Sequence, residues 1–430
     1  MSDLQILSVQ IEKPVYGGAC LARVDGKAVF VPLTLPGEQA RIRIVEDKGG
    51  YSQAEVESIV TAAPERNVPG CRHFGACGGC NYQHADYATQ LAMKEAILRE
   101  SLERGGVRVT GAIEVLSAEP WGYRNRIRLA FTAQGQIGYR GRRSHAIVPI
   151  AECPIAAPVL VDAAKVIAET TKQIAPTLRP KELALFCNAD GTQFLASLFT
   201  GQATNTQFKI AHAATERVPA LKGFELVVEG RNGHEPRRAD NWGENALLYS
   251  AAGFAYRVDH GAFFQVNRRL VDALLERVTA GRSGKLAWDL FAGVGLFARK
   301  LAERFERVIA VESSPAAFPG LAANLHGTSG VPVRMDTLRF LRQNTSKMTE
   351  WERPQLVVMD PPRTGLGKEA TQLVAEVAAP EVVYVSCDPA TLARDLKGLV
   401  ASGYVIGSVA LADLFPQTFH LETVVTLHRA

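Results

Sequence analysis

A cysteine and a glutamate in the last part of the chain have the residue types that covalent catalysis needs. Cys387 lies in the motif SCDP, where a predicted strand ends and a helix begins. The N-terminus of a helix lowers the pKa of a thiol, and the thiolate is the nucleophilic form. Glu422 ends the loop motif FPQTFHLE, where a carboxylate can act as a base supported by His420. The alternatives are a structural cysteine and a solvated loop carboxylate.

A second group of residues suits a positively charged ligand. The motif DLFAGVG runs from Asp289 to Gly295, and its glycines allow a ligand close to the turn and the following helix N-terminus. Asp289 disfavours a pyrophosphate here and favours the cationic methionine end of S-adenosylmethionine (SAM). Glu312 ends the next predicted strand, where an acid can accept both ribose hydroxyls. This order predicts SAM binding, with a generic nucleotide fold or a lost ligand site as the alternative.

A further acidic motif, DPPR, begins at Asp360 and ends another predicted strand. The carboxyl ends of strands line the ligand crevice of an open α/β sheet. The two prolines make the motif rigid and hold the carboxylate at the rim of that crevice. Taken alone, the motif fits a simple turn equally well.

Four of the seven cysteines have the spacing of a metal site. The candidate ligands are Cys71, Cys77, Cys80 and Cys153. Four thiolates suit zinc or an iron–sulfur cluster, and spacing alone leaves these two nearly even. Cys153 is followed by Pro154, as cluster ligands often are. We expect Cys20 and Cys187 to pack in the interior.

Arginines and aromatic residues are concentrated in residues 121–151, and no Asp or Glu occurs between Glu119 and Glu152. Such a stretch offers phosphate contacts and base stacking to RNA, with a solvated strand face as the alternative. Its members include Trp121, Tyr123, Arg124, Arg126, Arg128, Tyr139, Arg140, Arg142, Arg143 and His145.

Three regions of different pattern must position these side chains. Residues 1–62 show short strands and turns, which predict a small OB-like β-barrel. Residues 63–252 contain the cysteines and a mixed α+β pattern. Residues 253–430 alternate strands and helices and end in two strands joined by a short loop, which predicts an antiparallel hairpin. This α/β pattern predicts a doubly wound parallel sheet with a C-terminal hairpin, the arrangement of class I SAM methyltransferases.

Composition restricts the class of protein. The 430 residues are 47% hydrophobic with a net charge of +4, which excludes a disordered, collagen-like or coiled-coil chain. The first residues include Asp3 and Glu12 and do not form a secretory signal, and no apolar run reaches the roughly 18 residues of a membrane span. We therefore expect a cytoplasmic protein without membrane contact, whose cysteines bind metal or do chemistry.

Taken in order, the motifs DLFAGVG, VE, DPPR, SCDP and FPQTFHLE resemble the RNA uridine C5-methyltransferase family over nearly the whole chain. The segment FFQVN at residues 263–267 also matches, and YGG, ARVDGKAVFVP and LPGE resemble the TRAM domain, an RNA-binding module. The resemblance implies that Cys387 is the nucleophile and Glu422 the base. It implies SAM contacts at Gln265, Phe291, Glu312, Asp336 and Asp360. It also favours a structural 4Fe–4S cluster over zinc on the four cysteines.

The same resemblance implies methylation of uracil C5 in RNA, with SAM as the methyl donor. A self-contained RNA-binding enzyme need not oligomerise, so we expect a monomer. The barrel and the cysteines favour 23S ribosomal RNA as the substrate, and the T-loop uridine of tRNA is the alternative. The alternative from another class is a catalytically silent RNA-binding or ribosome-assembly factor. The chain departs from many relatives at Leu296, where they carry a polar residue, and at Ala292, which replaces a frequent cysteine.

Overall fold

The computed structural model describes residues 6–202, 206–228, 230, 237–345 and 352–430. Asp3, which contributes to the expectation that the chain has no secretory signal, lies outside these ranges. Within them, no helix has the length and apolar character needed to cross a membrane.

Five strands at the N-terminus close into a small barrel. They are β1 (Ile6–Val15), β2 (Ala19–Val24), β3 (Lys27–Pro32), β4 (Gln39–Asp47) and β5 (Tyr51–Thr61). Asp25 and Gly26 turn β2 into β3 with positive φ angles of 50° and 80°, as a two-residue hairpin turn requires. Val29 and Val31 alternate with less buried neighbours and fill the barrel interior. The predicted N-terminal barrel is confirmed.

The next elements are α1 (Tyr87–Arg104) and the short strand β6 (Glu114–Leu116), which follow the cysteine segment. A seven-stranded sheet then carries two helices. Its elements are β7 (Arg126–Phe131), β8 (Ile137–Arg140), β9 (Ile147–Pro149), α2 (Pro158–Ile174), β10 (Pro180–Cys187), β11 (Phe194–Thr200), α3 (Gln207–Arg217), β12 (Leu221–Val228) and β13 (Arg237–Gly243). The strand order is β13-β12-β11-β10-β7-β8-β9. Ile127 and Leu129 of β7 pack in one core with α2 and α3, so both helices cover the same face of this sheet.

The C-terminal part alternates strands and helices after a two-stranded hairpin. Its elements are β14 (Ala246–Ala251), β15 (Phe254–Asp259), α4 (Val271–Thr279), β16 (Gly284–Leu290), α5 (Leu296–Leu301), β17 (Phe305–Glu312), α6 (Phe318–Leu325), β18 (Gly330–Arg334), α7 (Thr337–Thr345), β19 (Leu356–Met359), α8 (Gly367–Val377), β20 (Glu381–Ser386), α9 (Pro389–Ala401), β21 (Tyr404–Ala412) and β22 (Thr423–Arg429).

An eight-stranded sheet runs through this part in the order β18-β17-β16-β19-β20-β22-β21-β6. The strands from β18 to β20 are parallel, and β22 is antiparallel to both β20 and β21. One hydrophobic core joins the sheet to α4, α5 and α6, and a second joins its other face to α7, α8, α9 and α1. The predicted doubly wound α/β sheet with a C-terminal antiparallel hairpin is confirmed.

A helix and a strand of the predicted central region pack with the C-terminal region. Helix α1 packs against α9, and β6 adds to the C-terminal sheet as a parallel neighbour of β21, although both precede residue 252. The predicted boundary at 252 falls in the turn between β14 and β15. The division into 1–62, 63–252 and 253–430 stays a prediction.

Candidate active site

The predicted nucleophile and base lie side by side at the carboxyl edge of the parallel strands. Cys387 directly follows β20 and Glu422 directly precedes β22. These two strands are antiparallel neighbours in which Ser386 pairs with Thr423, so the residue after one and the residue before the other reach the same edge. Asp360 follows β19, the other neighbour of β20. The structure therefore brings Cys387, Glu422 and Asp360 together from three distant parts of the sequence.

Burial raises the pKa of Cys387 to about 12, opposite to the direction expected from a helix N-terminus. The negative charges of Glu422 and Asp360 add to this rise, and the Arg363 guanidinium opposes it. The expected lowering of the pKa of Cys387 by the N-terminus of α9 is therefore wrong.

The first turn of α9 explains that difference. The carboxylate of Asp388 accepts hydrogen bonds from the backbone N–H groups of Ala390 (3.1 Å) and Thr391 (2.9 Å). The helix N-terminus is therefore capped by the residue after the cysteine, and its donors do not stabilise the thiolate.

Three carboxyl groups at this edge have pKa values above their ordinary range. Burial raises the pKa of Asp289 to about 8, and the charges of Asp360 and Glu312 raise it further. Burial also raises the pKa of Asp360 to about 7, while a hydrogen bond from Gln265 opposes the rise. Burial and then the charge of Asp360 raise the pKa of Glu422 well above its usual value. A cation bound here would favour the ionised form of all three.

The glycine-rich turn after β16 leaves open space for a ligand. Phe291, Gly293 and Gly295 have positive φ angles of 62°, 56° and 86°. A Cβ atom at Gly293 would meet nothing within 4 Å, so the turn faces an open cleft. Glu312 Oε2 accepts a hydrogen bond from the Gly293 N–H (2.8 Å), which holds this carboxylate against the turn. Leu296, one of the departures from the family pattern, is buried in the core.

An orphaned oxygen at the same turn is consistent with a cationic ligand. Asp289 Oδ2 accepts a hydrogen bond from the Ala298 N–H (2.8 Å). Its Oδ1 is buried and has no partner in the described part of the chain. A buried carboxylate oxygen without a donor favours a ligand that supplies one.

Two other residues were predicted to contact SAM. Gln265 lies in the centre of the candidate active site, and Asp336 lies at its margin. Gln265 is buried and donates from Nε2 to Asp360 Oδ2 (3.2 Å), which places it beside the catalytic candidates. Asp336 is exposed and follows β18 at the outer edge of the sheet. Its Oδ1 accepts from the Arg339 N–H (3.0 Å) at the start of α7.

His420, the predicted support for the base, interacts with Arg363 instead. The distance from Arg363 Nη2 to His420 Nδ1 is 3.0 Å. Burial lowers the pKa of His420 to about 4, and the charge of Arg363 lowers it further. The imidazole is therefore neutral at pH 7.

A buried ion pair fixes the loop that precedes Glu422, and sequence analysis did not identify it. Lys94 of α1 contacts Asp413 (Nζ–Oδ1 2.6 Å), and neither side chain has exposed surface. Lys94 also donates to the Phe415 carbonyl (2.9 Å), and the Tyr87 hydroxyl donates to Asp413 Oδ2 (2.9 Å). A lysine on the apolar stripe of α1, which contains Ile97, was the available signal.

Other parts of the chain hold the same loop. Gln417 and Gln90 exchange hydrogen bonds of 2.9 and 3.0 Å, and Gln417 O accepts from the Asn81 N–H (2.9 Å). Tyr16 of the barrel packs edge-on against Phe419, with ring centroids 5.5 Å apart. The N-terminal barrel, the cysteine segment and α1 therefore all contact the loop between β21 and β22.

The four candidate metal ligands surround one small cavity of about 60 Å³. They are Cys71, Cys77, Cys80 and Cys153. Burial raises the pKa of Cys80 to about 12, and it also raises the pKa of Cys77 and Cys153. Among the described residues, no group of three or more His, Cys, Asp or Glu side chains meets the geometry of a metal-ion site. Cys20 and Cys187, expected in the interior, are buried.

Arg124 lies beside these thiols, although its sequence context predicted an RNA contact. It lines the cysteine cavity, and its charge opposes the rise in the pKa of Cys80 and Cys153. Its Nε is buried and has no acceptor in the described ranges. A four-thiolate centre carries negative charge, so this cation and donor set fit one.

Four other arginines of residues 121–151, Arg128, Arg140, Arg142 and Arg143, line a groove of about 510 Å³ together with the Gly17-Gly18 turn of the barrel. Tyr123 is buried and donates to the Pro416 carbonyl (3.0 Å), so it supports the loop between β21 and β22.

Two family models and several known proteins match this chain. A family model described as tRNA (Uracil-5-)-methyltransferase matches residues 86–430, and a TRAM domain model matches residues 4–56. The 23S rRNA (uracil(1939)-C(5))-methyltransferase RlmD of Halomonas elongata is 32% identical over 443 residues, covering 97% of this chain and 88% of the relative. The RlmD of Klebsiella pneumoniae strain 342 is 32% identical over 441 residues, covering 99% and 96%.

A solved structure has the same fold. The crystal structure of Pyrococcus abyssi tRNA (uracil-54, C5)-methyltransferase in complex with S-adenosyl-L-homocysteine aligns with a TM-score of 0.76. It is 22% identical, and the alignment covers 97% of this chain and 100% of the Pyrococcus chain.

We expect the Cys387 thiol of the ligand-free protein to react slowly with iodoacetamide at neutral pH. Only the thiolate reacts, so a pKa of about 12 predicts a rate that rises about tenfold per pH unit from pH 7 to pH 10 without a plateau. Glu422→Gln removes a neighbouring negative charge and should react faster at pH 10, whereas Arg363→Met should react more slowly. Mass spectrometry of the peptide containing Cys387 measures these rates, and a plateau below pH 8 would contradict the prediction.

Proposed function

The chain belongs to the RNA (uracil-C5)-methyltransferase family and uses SAM to methylate uracil C5 in RNA, and we propose that its substrate is 23S ribosomal RNA. Two relatives that are 32% identical and match nearly the whole chain are named for a uracil of 23S rRNA. The family model is itself described by a tRNA activity, so the T-loop uridine of tRNA is the second candidate.

The carboxylates around the glycine-rich turn fit SAM. When bound, SAM supplies a methyl group on a positively charged sulfur. The unpaired Oδ1 of Asp289 and the raised pKa values of Asp289 and Asp360 favour a cation at this edge of the sheet. The residues proposed to contact SAM are Gln265, Phe291, Glu312, Asp336 and Asp360.

The convergence of Cys387, Glu422 and Asp360 at one sheet edge is the observation that carries the proposed mechanism. Uracil C5 is too weak a nucleophile to take a methyl group unaided. The Cys387 thiolate adds to C6 and moves electron density to C5 as an enolate. C5 then forms the new bond to the methyl carbon as the methyl–sulfur bond of the donor breaks, and the sulfur leaves with that electron pair as a neutral thioether.

Glu422 completes the reaction as the base. Its carboxylate takes the proton from C5, and the electrons of that C–H bond restore the C5–C6 double bond as Cys387 leaves as a thiolate. Its raised pKa makes it a stronger base than an exposed glutamate. Both faces of the ring must be reached, so the uridine has to leave its stack.

We expect Cys387→Ala to abolish methylation while SAM binding, measured by calorimetry, is retained. Glu422→Gln leaves the adduct unable to lose its C5 proton, so a protein–RNA complex that survives denaturing electrophoresis should accumulate. Glu376→Gln, on an exposed carboxylate of α8, is the matched control and should turn over normally. Methylation by Cys387→Ala would disprove the covalent mechanism.

Deletion of the gene tests the substrate. We expect one 5-methyluridine to disappear from 23S rRNA when both RNAs are mapped by mass spectrometry, and the intact gene to restore it. Loss from the tRNA T-loop alone would transfer the assignment to tRNA, and loss from neither RNA would contradict both assignments.

We also propose that the four cysteines hold a structural 4Fe–4S cluster. The four thiols line one cavity, and the Arg124 guanidinium beside them compensates the negative charge of a four-thiolate centre. Asn81 directly follows Cys80, and its N–H donates to the Gln417 carbonyl in the loop between β21 and β22. A cluster that orders the cysteine segment would therefore also order that loop.

Anaerobic purification should give a brown protein with iron and sulfide in equal amounts, about four of each per chain. Cys153→Ser should lower the iron content, while Cys187→Ser, at a buried cysteine outside the cavity, should not. One zinc per chain with no iron would overturn the cluster in favour of zinc.

A further inference from the structure

One face of the seven-stranded sheet is left open by the helices and carries two arginines. The side chains of β7 alternate, so that Ile127 and Leu129 point into the core with α2 and α3. Arg126 and Arg128 therefore point to the opposite face. On that face the Arg126 guanidinium lies over the Phe186 ring, 4.8 Å from its centroid, and Arg128 lies over Phe199 at 4.4 Å.

These two stacked pairs border a cavity of about 130 Å³. Its other walls are formed by β10, β11 and the turn after β15, and they include Ser197, Asp259, His260 and Gly261. Arg128 also lines the larger groove that contains Arg140 and Arg142, so the two cavities share this arginine.

The acidic residues near this cavity are already paired. Glu182 contacts Arg128 (2.5 Å), and Asp259 contacts Arg257 (2.7 Å). Glu225 contacts Arg238 (2.9 Å).

Arg126 differs from these arginines. In the described ranges of the chain its side chain has no hydrogen bond and no acidic partner, and its guanidinium lies over the Phe186 ring. Burial lowers its pKa to about 10, so the guanidinium remains charged at pH 7. The side chain is partly buried, and its guanidinium has no counter-ion in the described ranges, so an anion in the cavity would supply one.

The cavity adjoins the active site through residue 125. The backbone N–H of Asn125 donates to the Val266 carbonyl (3.0 Å), and its side chain donates to the Gln265 carbonyl (2.8 Å). Gln265 in turn contacts Asp360 (3.2 Å). Arg126 follows Asn125 directly, so these contacts connect the strand that carries Arg126 to Asp360 of the candidate active site.

We propose that this cavity binds one backbone phosphate of the RNA, next to the target uridine, with Arg126 as its cationic ligand. The proposal rests on RNA being the substrate. A planar guanidinium stacked on an aromatic ring is held in place and presents parallel N–H donors that match phosphate oxygens. A phosphate fixed beside the flipped nucleotide positions its sugar and base without reading sequence.

The test replaces single phosphates in a short RNA that the wild-type protein methylates. Each linkage around the target uridine is changed in turn to an uncharged methylphosphonate. With the wild-type protein, one linkage beside the target should raise KM about tenfold and leave kcat unchanged, as loss of a charge-assisted hydrogen bond predicts. If no single linkage beside the target matters, the phosphate site is wrong, and this result needs no variant protein.

Arg126→Met tests which residue reads that phosphate, because methionine keeps the apolar packing on Phe186 without the charge. It should raise KM for unmodified RNA about tenfold and be insensitive to the methylphosphonate at the same linkage. Its slope of log affinity against log salt should be shallower by about 0.7. Arg126→Lys should recover part of the affinity.

Arg217→Met is the matched control. Arg217 lies on α3, which covers the opposite face of the same sheet, and is paired with Glu169. It should behave as wild type in every assay. If Arg126→Met remains as sensitive as wild type to the same linkage, Arg126 is not the ligand, although methylation itself would still support the proposed function. A wild-type protein that methylates no RNA would instead contradict the proposed function.

Discussion

Burial of three carboxyl groups at one sheet edge is the constraint on which the catalytic half of the molecule depends. Asp289 lies near the end of β16, Asp360 follows the neighbouring strand β19, and Glu422 lies two strands from β19 on the same edge. Burial raises the pKa of all three, and the charge of Asp360 adds to the rise at Asp289 and Glu422. One positive charge at this edge relieves all three groups, which a neutral or anionic ligand cannot do. The strand order places these three carboxyl groups at one edge, and this arrangement favours a positively charged ligand.

The loop between β21 and β22, which precedes Glu422, is held in place by contacts with distant parts of the chain. Its buried pair, Lys94 and Asp413, joins residues far apart in sequence, and removing one partner of such a pair costs about 3–5 kcal/mol because the other charge is left alone. Gln90, Tyr123 and Tyr16 add contacts from α1, the central region and the barrel. The N-terminal regions therefore help to position Glu422, in addition to any RNA that they bind.

Sequence patterns predicted the features that depend on local order. The alternation of strands and helices predicted the sheet, and because parallel strands end at one edge, it also predicted that residues such as Glu312 and Asp360 face one crevice. The pKa of Cys387 was predicted in the wrong direction, because the helix N-terminus is a local feature whereas burial, Glu422 and the Asp388 cap follow from the tertiary structure. Lys94 shows the same limit, since its partner Asp413 is distant in sequence.

The charge arrangement also couples the thiol to the ligand. Burial is the main cause of the raised pKa of Cys387, and the charges of Glu422 and Asp360 add to it, so a cation bound among the carboxylates opposes the smaller part of that rise. By thermodynamic reciprocity, ionisation of the thiol must strengthen cation binding by the same factor.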